Sequence, residues 1–187
     1  MAIDRKLYTI ENFEQFLALP ENRDRLFELI DGEIVEKMPT QEHAFLESFI
    51  AWLMNNVVIP NDLGLVLTNA RFQLEGKKHN AHLPDISFQA NISSPTITEG
   101  AIPTMPDIAV EIQSPDDSEK EVEAKARYYI ANGTRLAWVV FPRQRTIDVY
   151  RANGDKIILT ENDILSGEEV LPGFSVPVSS IFARIQK

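Results

Sequence analysis

The clearest hydrophobic pattern in the chain lies in residues 106–133, which read PDIAVEIQSPDDSEKEVEAKARYYIANG. In the first half of this stretch, isoleucine and valine alternate with acidic, small and amide residues, a period of two that predicts a strand. Glu111 falls on the polar side of that alternation. Ser114-Pro115 ends the strand, because proline has no N–H to donate to a ladder and restricts the backbone of its neighbour.

The second half of the same stretch has the signals of a capped helix. Ser118 is followed three residues later by Glu121, the spacing of a capping box, and Gly133 stands where a helix C-terminus favours positive φ. The apolar face of the predicted helix comprises Val122, Ala126, Tyr129 and Ile130. Lys125 completes the i, i+3, i+4, i+7 stripe, so the pattern directs a lysine towards the sheet.

Two interpretations of Lys125 are consistent with this position. Its stem can border the apolar stripe while its ammonium reaches water. Alternatively, the ammonium points at acids on the sheet, Glu111 among them, because a buried ammonium needs a charged partner. Such pairs cluster at functional sites, but structural ion pairs look the same, so the residues alone leave both interpretations open.

The other predicted elements alternate between helices and strands along the chain. A short helix is predicted at residues 9–19, a hairpin turning at Asp31-Gly32 at 26–38, and a long helix at 41–58. Strands are predicted at 63–75 and 83–89, a second hairpin at 136–141 and 146–151, a strand pair at 156–160 and 169–171, and a short helix at 178–183. The segment 91–105 is rich in proline, serine and threonine, which predicts a flap or binding loop.

Composition and charge narrow the functions that this chain can have. Its 187 residues include no cysteine, which excludes disulfides, thiolate zinc sites and cysteine nucleophiles. No run approaches the roughly 18 apolar residues of a membrane span, and the first residues have no apolar core, so we expect a cytoplasmic protein without a membrane partner. The net charge of −10 argues against broad affinity for a polyanion.

The charge is unevenly distributed, however. Residues 125–151 carry six basic side chains against one acid, Asp148, and are therefore net +5. This segment could provide a local surface for nucleic-acid phosphates. The alternative, which we favour, is an ordinary hairpin kept soluble by its charges.

Two predicted strands place acids on a polar face, Asp85 beside Ser87 and Glu111 beside Gln113. We expect the carboxylates of Asp85 and Glu111 to lie within about 6 Å of each other, close enough to share one Mg²⁺ or Mn²⁺ ion. Such an ion polarises a phosphoryl group and supplies a hydroxide-like nucleophile. Lys125 can orient that water or stabilise charge on the phosphate, so these groups suffice for metal-assisted phosphodiester hydrolysis.

The order of these residues resembles the Uma2 family of restriction endonucleases, within the PD-(D/E)xK nuclease superfamily. The matching segments are Leu29-Ile30-Asp31-Gly32-Glu33, His43 at the start of a helix, Leu83-Pro84-Asp85, Pro106-Asp107 through Glu111 to Ser114-Pro115, and then Lys125, Tyr128, Gly133 and the Trp138 strand. They cover residues 28–151. The resemblance implies that Pro84-Asp85 is the PD element and that Glu111 is the acid of (D/E)xK.

The chain departs from the family pattern at Gln113, which stands where the lysine is expected. A glutamine amide can hydrogen-bond a water or a phosphate, but it carries no positive charge. Lys125 on the following helix can occupy the same space from another backbone position. The predicted catalytic residues are therefore Asp85, Glu111, Lys125 and Gln113, with Asp85 and Glu111 as the metal ligands. The sequence leaves open whether Glu33, His43 or Glu47 joins them.

The resemblance implies an α/β (α+β) fold with a restriction-endonuclease-like core, in which helices flank a mixed central β-sheet and additional β-hairpins are attached. We expect one domain over residues 1–187, with an N-terminal helix and hairpin at 1–40, the nuclease core at about 41–151, and C-terminal strands and tail at 152–187. The expected function is Mg²⁺-dependent cleavage of DNA, and a homodimer would supply one site for each strand. The alternatives are an inactive nuclease-fold module that binds DNA or protein, and a structural domain in which Lys125 neutralises buried acids.

Overall fold

The computed structural model describes residues 7–90 and 96–185, in which helices and strands alternate. The helices are α1 (Ile10–Leu17), α2 (Gln41–Val58), α3 (Glu119–Ala131) and α4 (Val178–Phe182). The strands are β1 (Leu26–Ile30), β2 (Glu33–Lys37), β3 (Gly64–Thr68), β4 (Ile86–Ala90), β5 (Ile108–Ile112), β6 (Leu136–Phe141), β7 (Thr146–Arg151), β8 (Lys156–Leu159), β9 (Ile164–Ser166) and β10 (Ser175–Pro177). Within the described ranges, no helix combines the length and the hydropathy that a membrane span requires.

Contacts between residues divide the chain into two compact units. The smaller unit consists of Met1–Met38, Arg71–Leu83 and Ile97–Thr104, and the larger unit consists of Pro39–Ala70, Pro84–Thr96 and Met105–Lys187. The single-domain organisation inferred from the sequence stays a prediction.

The smaller unit contains α1 and the hairpin β1–β2. Thr9 caps α1 through a capping box with Asn12, so the predicted start of this helix is confirmed. The hairpin turns at Asp31 and Gly32, which have φ values of 48° and 83°. Positive φ at both central residues is what a two-residue hairpin turn requires, and this is why the Asp-Gly pair predicted the turn correctly.

The larger unit is built on a six-stranded sheet in the order β3-β4-β5-β6-β7-β8. Only β5 and β6 run parallel, and the other neighbours are antiparallel, so the sheet is mixed as predicted. One face packs against α2, where Leu46, Ile50 and Met54 join the same buried cluster as Val110 and Trp138. The other face packs against α3 through a second cluster of Val122, Ala126, Ala137, Val139, Phe141 and Tyr150. Helices therefore flank the sheet on both sides.

Three predicted segments differ from the structure or lie partly outside it. The strand expected at 63–75 ends at Thr68, because Asn69 adopts a left-handed φ of 50° that a strand cannot continue through. Residues 169–171 do not form a strand, since the Leu171 N–H donates to the Gly167 carbonyl in a tight turn, and β8 pairs with β7 instead. Of the predicted flap, residues 91–95 lie outside the described residues.

Candidate active site

The site begins where β4 meets β5. The two strands are neighbours in the sheet, and Asp85 immediately precedes β4. Their antiparallel register begins with Ile86 opposite Val110, and these two residues are the chain neighbours of Asp85 and Glu111 respectively. The Ile112 N–H donates to Asp85 Oδ2 over 2.7 Å, which ties the aspartate to the end of β5. Both acids are buried, and the separation of their carboxylates stays a prediction.

Glu111 is covered by α3. In the parallel register its partner on β6 is Val139, which belongs to the apolar cluster beneath this helix. The Tyr129 hydroxyl donates to Glu111 Oε1 over 2.5 Å, and Lys125 Nζ lies 3.3 Å from Oε2. Burying a carboxylate is costly unless it is paired and hydrogen-bonded, and Glu111 is both.

The sequence of α3 places Lys125 at this carboxylate. The predicted capping box of Ser118 and Glu121 is present, and it sets the start of the helix. Lys125 and Tyr129 are four residues apart, so they project from the same helix face. The Lys125 side chain is only 15% exposed, which favours the interpretation that its ammonium points at the sheet. The predicted contact between Lys125 and Glu111 is therefore present, whereas a catalytic role for it stays a prediction.

His43, whose role the sequence left open, reaches the same region from α2. Its imidazole is buried, and Nε2 lies 3.1 Å from Asp85 Oδ2. Thr40 caps α2, and its Oγ1 accepts the His43 N–H over 3.3 Å. The first turn of the helix therefore fixes the backbone position from which the imidazole projects. The contact with Asp85 joins residues 42 positions apart, and no periodicity within α2 could have revealed it.

Tyr129 is the second residue whose contribution sequence reasoning missed. The apolar stripe of α3 predicted correctly that its ring is buried. The stripe says nothing of the hydroxyl, however, and a buried tyrosine hydroxyl normally finds a hydrogen-bond partner. A tyrosine one turn after the inward-facing Lys125 was therefore a signal that a polar group lies on the sheet below.

Gln113 and Glu33 occupy other positions. The Gln113 amide donates from Nε2 to the Asp117 carbonyl over 3.0 Å, and this contact closes the turn between β5 and α3. Glu33 is an exposed residue at the start of β2, in the smaller unit. A catalytic role for Gln113 stays a prediction, whereas the sequence predicted none for Glu33.

Asp85 and Glu111 fit the donor chemistry of Mg²⁺ or Mn²⁺. Both present carboxylate oxygens, which such hard cations prefer. Each carboxylate oxygen has two lone pairs, so a Glu111 oxygen that accepts one hydrogen bond can still take a second partner. Asp85 Oδ2 already has two partners, so Asp85 would hold an ion through Oδ1. Within residues 7–90 and 96–185, no three His, Cys, Asp or Glu side chains are grouped as a complete metal site. An ion held by the two acids would therefore complete its shell with water and phosphate oxygens.

The basic segment at 125–151 is largely matched by acids. Its ion pairs are Arg127–Glu123 at 3.0 Å, Arg145–Glu161 at 2.7 Å and Arg151–Glu168 at 2.7 Å. Arg145 also donates to the Phe182 carbonyl over 3.1 Å, so it connects the β6–β7 turn to α4. These contacts favour the interpretation as an ordinary charged hairpin over a surface for phosphates.

Comparison with known proteins supports the assignment of this fold. A crystal structure of a "putative nuclease belonging to DUF820" from Anabaena variabilis ATCC 29413 is 25% identical in sequence and superimposes with a TM-score of 0.77. The match covers 91% of this chain and 96% of that chain. None of the curated proteins that were compared matches the sequence. The family model for Uma2, described as "Putative restriction endonuclease", matches residues 13–179. The chain therefore belongs to the Uma2 family.

Proposed function

We propose that this protein is a Mg²⁺-dependent endonuclease that hydrolyses phosphodiester bonds in DNA. The observation that carries the proposal is the contact of Lys125 Nζ with buried Glu111 Oε2 at 3.3 Å, on the strand that also hydrogen-bonds Asp85. A lysine paired with one buried carboxylate, and a second buried carboxylate hydrogen-bonded to the same strand, are the groups that this chemistry needs. Family membership and the nuclease-like fold support the same function.

Each residue of the site has a role in this proposal. When bound, the ion supplies a polarised phosphoryl oxygen and a bound water of lowered pKa. Asp85 and Glu111 hold it through their carboxylates. Lys125 stabilises negative charge that develops on the phosphate. Tyr129 orients Glu111 by donating to Oε1, so that the carboxylate keeps one rotamer.

A metal-dependent cleavage screen tests the proposal. The protein is incubated with supercoiled plasmid, linear duplex, branched DNA, single-stranded DNA and RNA, each with Mg²⁺, with Mn²⁺ or with a chelator. We expect cleavage of DNA that requires the ion and that disappears in Asp85→Ala. Cleavage that survives in Asp85→Ala would point to a contaminating nuclease, and no cleavage of any substrate with either ion would contradict the proposal.

One observation favours a second candidate, an inactive nuclease-fold module that binds DNA or protein. Gln113 stands where a lysine is expected. Its amide carries no positive charge, and it donates a hydrogen bond to the Asp117 carbonyl in the turn. Such a module would retain binding without hydrolysis. The cleavage screen, run together with gel-shift assays on the same substrates, separates the two functions.

A homodimer is part of the same proposal, because cutting both strands of a duplex takes two sites. The exposed side of α2 supports it, since Ser48, Trp52 and Asn56 carry no charge in a chain of net −10, and Ile59 directly after the helix is exposed and apolar. Trp52 is 56% exposed and stacks on Phe49 at 5.6 Å. Two copies that meet at this surface avoid contacts between like charges. DNA would meet none of the cationic side chains that bind phosphates, because these residues are uncharged. Light scattering should show a dimer that Trp52→Glu converts to a monomer, and a monomeric wild-type protein would contradict this part.

A further inference from the structure

We propose that His43 is a positioning residue, which holds the Asp85 carboxylate in the orientation that the metal site requires. The inference rests on the proposed function, because that function is what requires an ion. The contact between His43 and Asp85 lies within the larger unit and does not depend on the proposed function. His43 Nε2 lies 3.1 Å from Asp85 Oδ2, and both side chains are buried. We assign the proton to Nε2, because an ionised carboxylate can only accept a hydrogen bond and the imidazole must then be the donor.

The same oxygen of Asp85 also accepts the Ile112 N–H over 2.7 Å. The two donors approach from different elements, the imidazole from α2 and the amide from the end of β5. A single hydrogen bond would leave the carboxylate free to swing about it. Two donors on one oxygen, held by a helix and a strand that both pack in one buried cluster, fix the side-chain torsions of Asp85.

Glu47 and Asn69 extend this contact into a network of polar contacts. Glu47 Oε2 lies 3.9 Å from His43 Nδ1, and its other oxygen accepts the Asn69 Nδ2–H over 2.6 Å. The Asn69 N–H then donates to the main-chain carbonyl of Asp85 over 3.1 Å. The imidazole therefore lies between the carboxylates of Glu47 and Asp85. Asn69 hydrogen-bonds both the side chain of Glu47 and the backbone of Asp85.

This arrangement has a consequence for metal binding. Residues that hydrogen-bond a metal ligand fix its orientation, and their removal typically costs about 10–100-fold in metal affinity. Without the His43 donor, Asp85 Oδ2 loses one of the two hydrogen bonds that orient it, and the carboxylate is held less firmly. We therefore expect His43→Ala to weaken binding of Mn²⁺ by about 10–100-fold while both proposed ligands are still present.

Two conservative variants make the test specific. A glutamine places its amide nitrogen the same number of bonds from Cβ as imidazole Nε2, so His43→Gln can donate to Asp85 as the histidine does. In His43→Asn the amide nitrogen corresponds to Nδ1 and falls short. Glutamine should recover most of the affinity and asparagine should not, although both are uncharged amides of similar polarity. Gln41→Ala, at the exposed first residue of α2, is the matched control.

The experiment uses the full chain with and without the ion. In metal-free protein, the amide proton shift of Ile112 reports the hydrogen bond to Asp85 Oδ2, and calorimetry gives the Mn²⁺ affinity. We expect the Ile112 shift and the affinity to change together in His43→Ala and His43→Asn and to stay close to wild type in His43→Gln and Gln41→Ala. If His43→Ala does not fold, as judged by thermal unfolding, the glutamine and asparagine pair carries the comparison.

The two readouts separate failure of this inference from failure of the proposed function. An Ile112 shift and Mn²⁺ affinity that are unchanged in His43→Ala would overturn the positioning role, as would equal behaviour of His43→Gln and His43→Asn. A wild-type protein that binds no Mn²⁺ would instead overturn the proposed metal site. In that case the Ile112 shift alone still decides whether His43 positions Asp85.

Discussion

Two clusters on the same face of the sheet, both beside α3, have nearly the same composition. The Glu111 cluster consists of Glu111, Lys125 and Tyr129, and the Asp148 cluster consists of Asp148, Lys156, Glu123 and Tyr150. Glu111 pairs with Val139 across β5 and β6, and Val139 pairs with Asp148 across β6 and β7. The two acids therefore flank one valine, in register, on the face that α3 covers.

The clusters differ in how the lysine is held. Lys156 Nζ lies 2.7 Å from both Asp148 Oδ2 and Glu123 Oε1, and 5.2 Å from the Tyr150 ring. It comes from the edge strand β8 and remains 30% exposed. Lys125 comes from α3, is 15% exposed and contacts Glu111 at the longer distance of 3.3 Å.

The more important difference is what stands at the strand end. Beside Glu111, the next residue of β5 donates to Asp85, so a second buried acid and its histidine are tied to the same strand. Asp148 lies in the middle of β7, where the ladder to β6 and β8 continues on both sides. The comparison teaches that a lysine paired with a buried carboxylate becomes a candidate site when it lies near a strand end to which a second buried acid is hydrogen-bonded. In mid-strand the same pair is an ordinary structural contact.

The largest expected effect comes from neutralising each acid in turn. Glu111→Gln removes a proposed ligand charge while keeping the size of the side chain, so metal-dependent DNA cleavage should fall to the level measured without metal. Asp148→Asn should leave cleavage unchanged, because its cluster holds no part of the proposed chemistry. Initial rates of plasmid cleavage with Mg²⁺ measure both, with folding checked by circular dichroism. Equal losses in the two variants would erase the distinction between the clusters.

Lys125→Ala is expected to have the next largest effect. Removing one preorganised stabilising group costs roughly 10²–10³ in rate, and we expect this loss in kcat. Binding of Mn²⁺ should survive, because the carboxylates and not the lysine hold the ion. Adding Gln113→Lys should restore part of the rate by returning an ammonium close to Glu111. Full activity in Lys125→Ala would show that the lysine, like Lys156, has only a structural role.

The sequence predicted much of the fold because local patterns determined it. Alternation predicted β5, the capping box predicted the start of α3, and helical periodicity directed Lys125 towards the sheet, where it is found. These are properties of neighbours in the chain. The proposed catalytic use of Lys125 lies outside such patterns, since Lys125 and Lys156 both pair with a buried carboxylate and only Lys125 has a second buried acid tied to the same strand.

The contacts that the sequence could not supply join distant segments. His43 and Asp85 are 42 positions apart, and the polar flank of α2 gave no indication of which strand would lie beside it. The strand expected at 169–171 failed for a related reason. Its apolar residues are buried, as a strand pattern suggests, but a turn closed by the Gly167 carbonyl buries Val170 and Leu171 without pairing them.

Lys156→Met should have a moderate effect, and on stability alone. It removes the cation from Asp148, whose buried oxygen then lacks its donor, and leaving a buried acceptor unsatisfied costs about 1–3 kcal/mol. Urea unfolding should show a loss of this size in the free energy of unfolding, with the DNA cleavage rate unchanged. A cleavage rate that falls as far as in Lys125→Ala would place the Asp148 cluster within the functional site.

The smallest expected effect is the pH dependence of the Asp148 cluster. The pKa of Glu123 lies below its ordinary value, chiefly because the Lys156 ammonium hydrogen-bonds to it. Burial opposes the charged form of Lys156, but hydrogen bonds to Asp148 and Glu123 outweigh it and raise the lysine pKa. A carboxyl group with a lowered folded pKa stabilises the protein fully above its unfolded pKa, about 4.3, and loses this contribution as the pH falls. A lysine with a raised folded pKa stabilises it fully below about 10.4 and loses this contribution only above that.

The pair should therefore contribute a constant amount between about pH 5 and pH 10. Below that window, the difference in the free energy of unfolding between wild type and Glu123→Gln should shrink as the pH is lowered towards about 3, because the wild-type carboxyl group becomes protonated and resembles the amide. Urea unfolding at closely spaced pH values measures this difference, and Glu119→Gln, in the first turn of α3, is the control. A difference that stays constant down to pH 3 would mean that Lys156 does not stabilise the Glu123 carboxylate. The Asp148 cluster would then no longer be explained as a structural ion pair, and its separation from the Glu111 cluster would rest on cleavage rates alone.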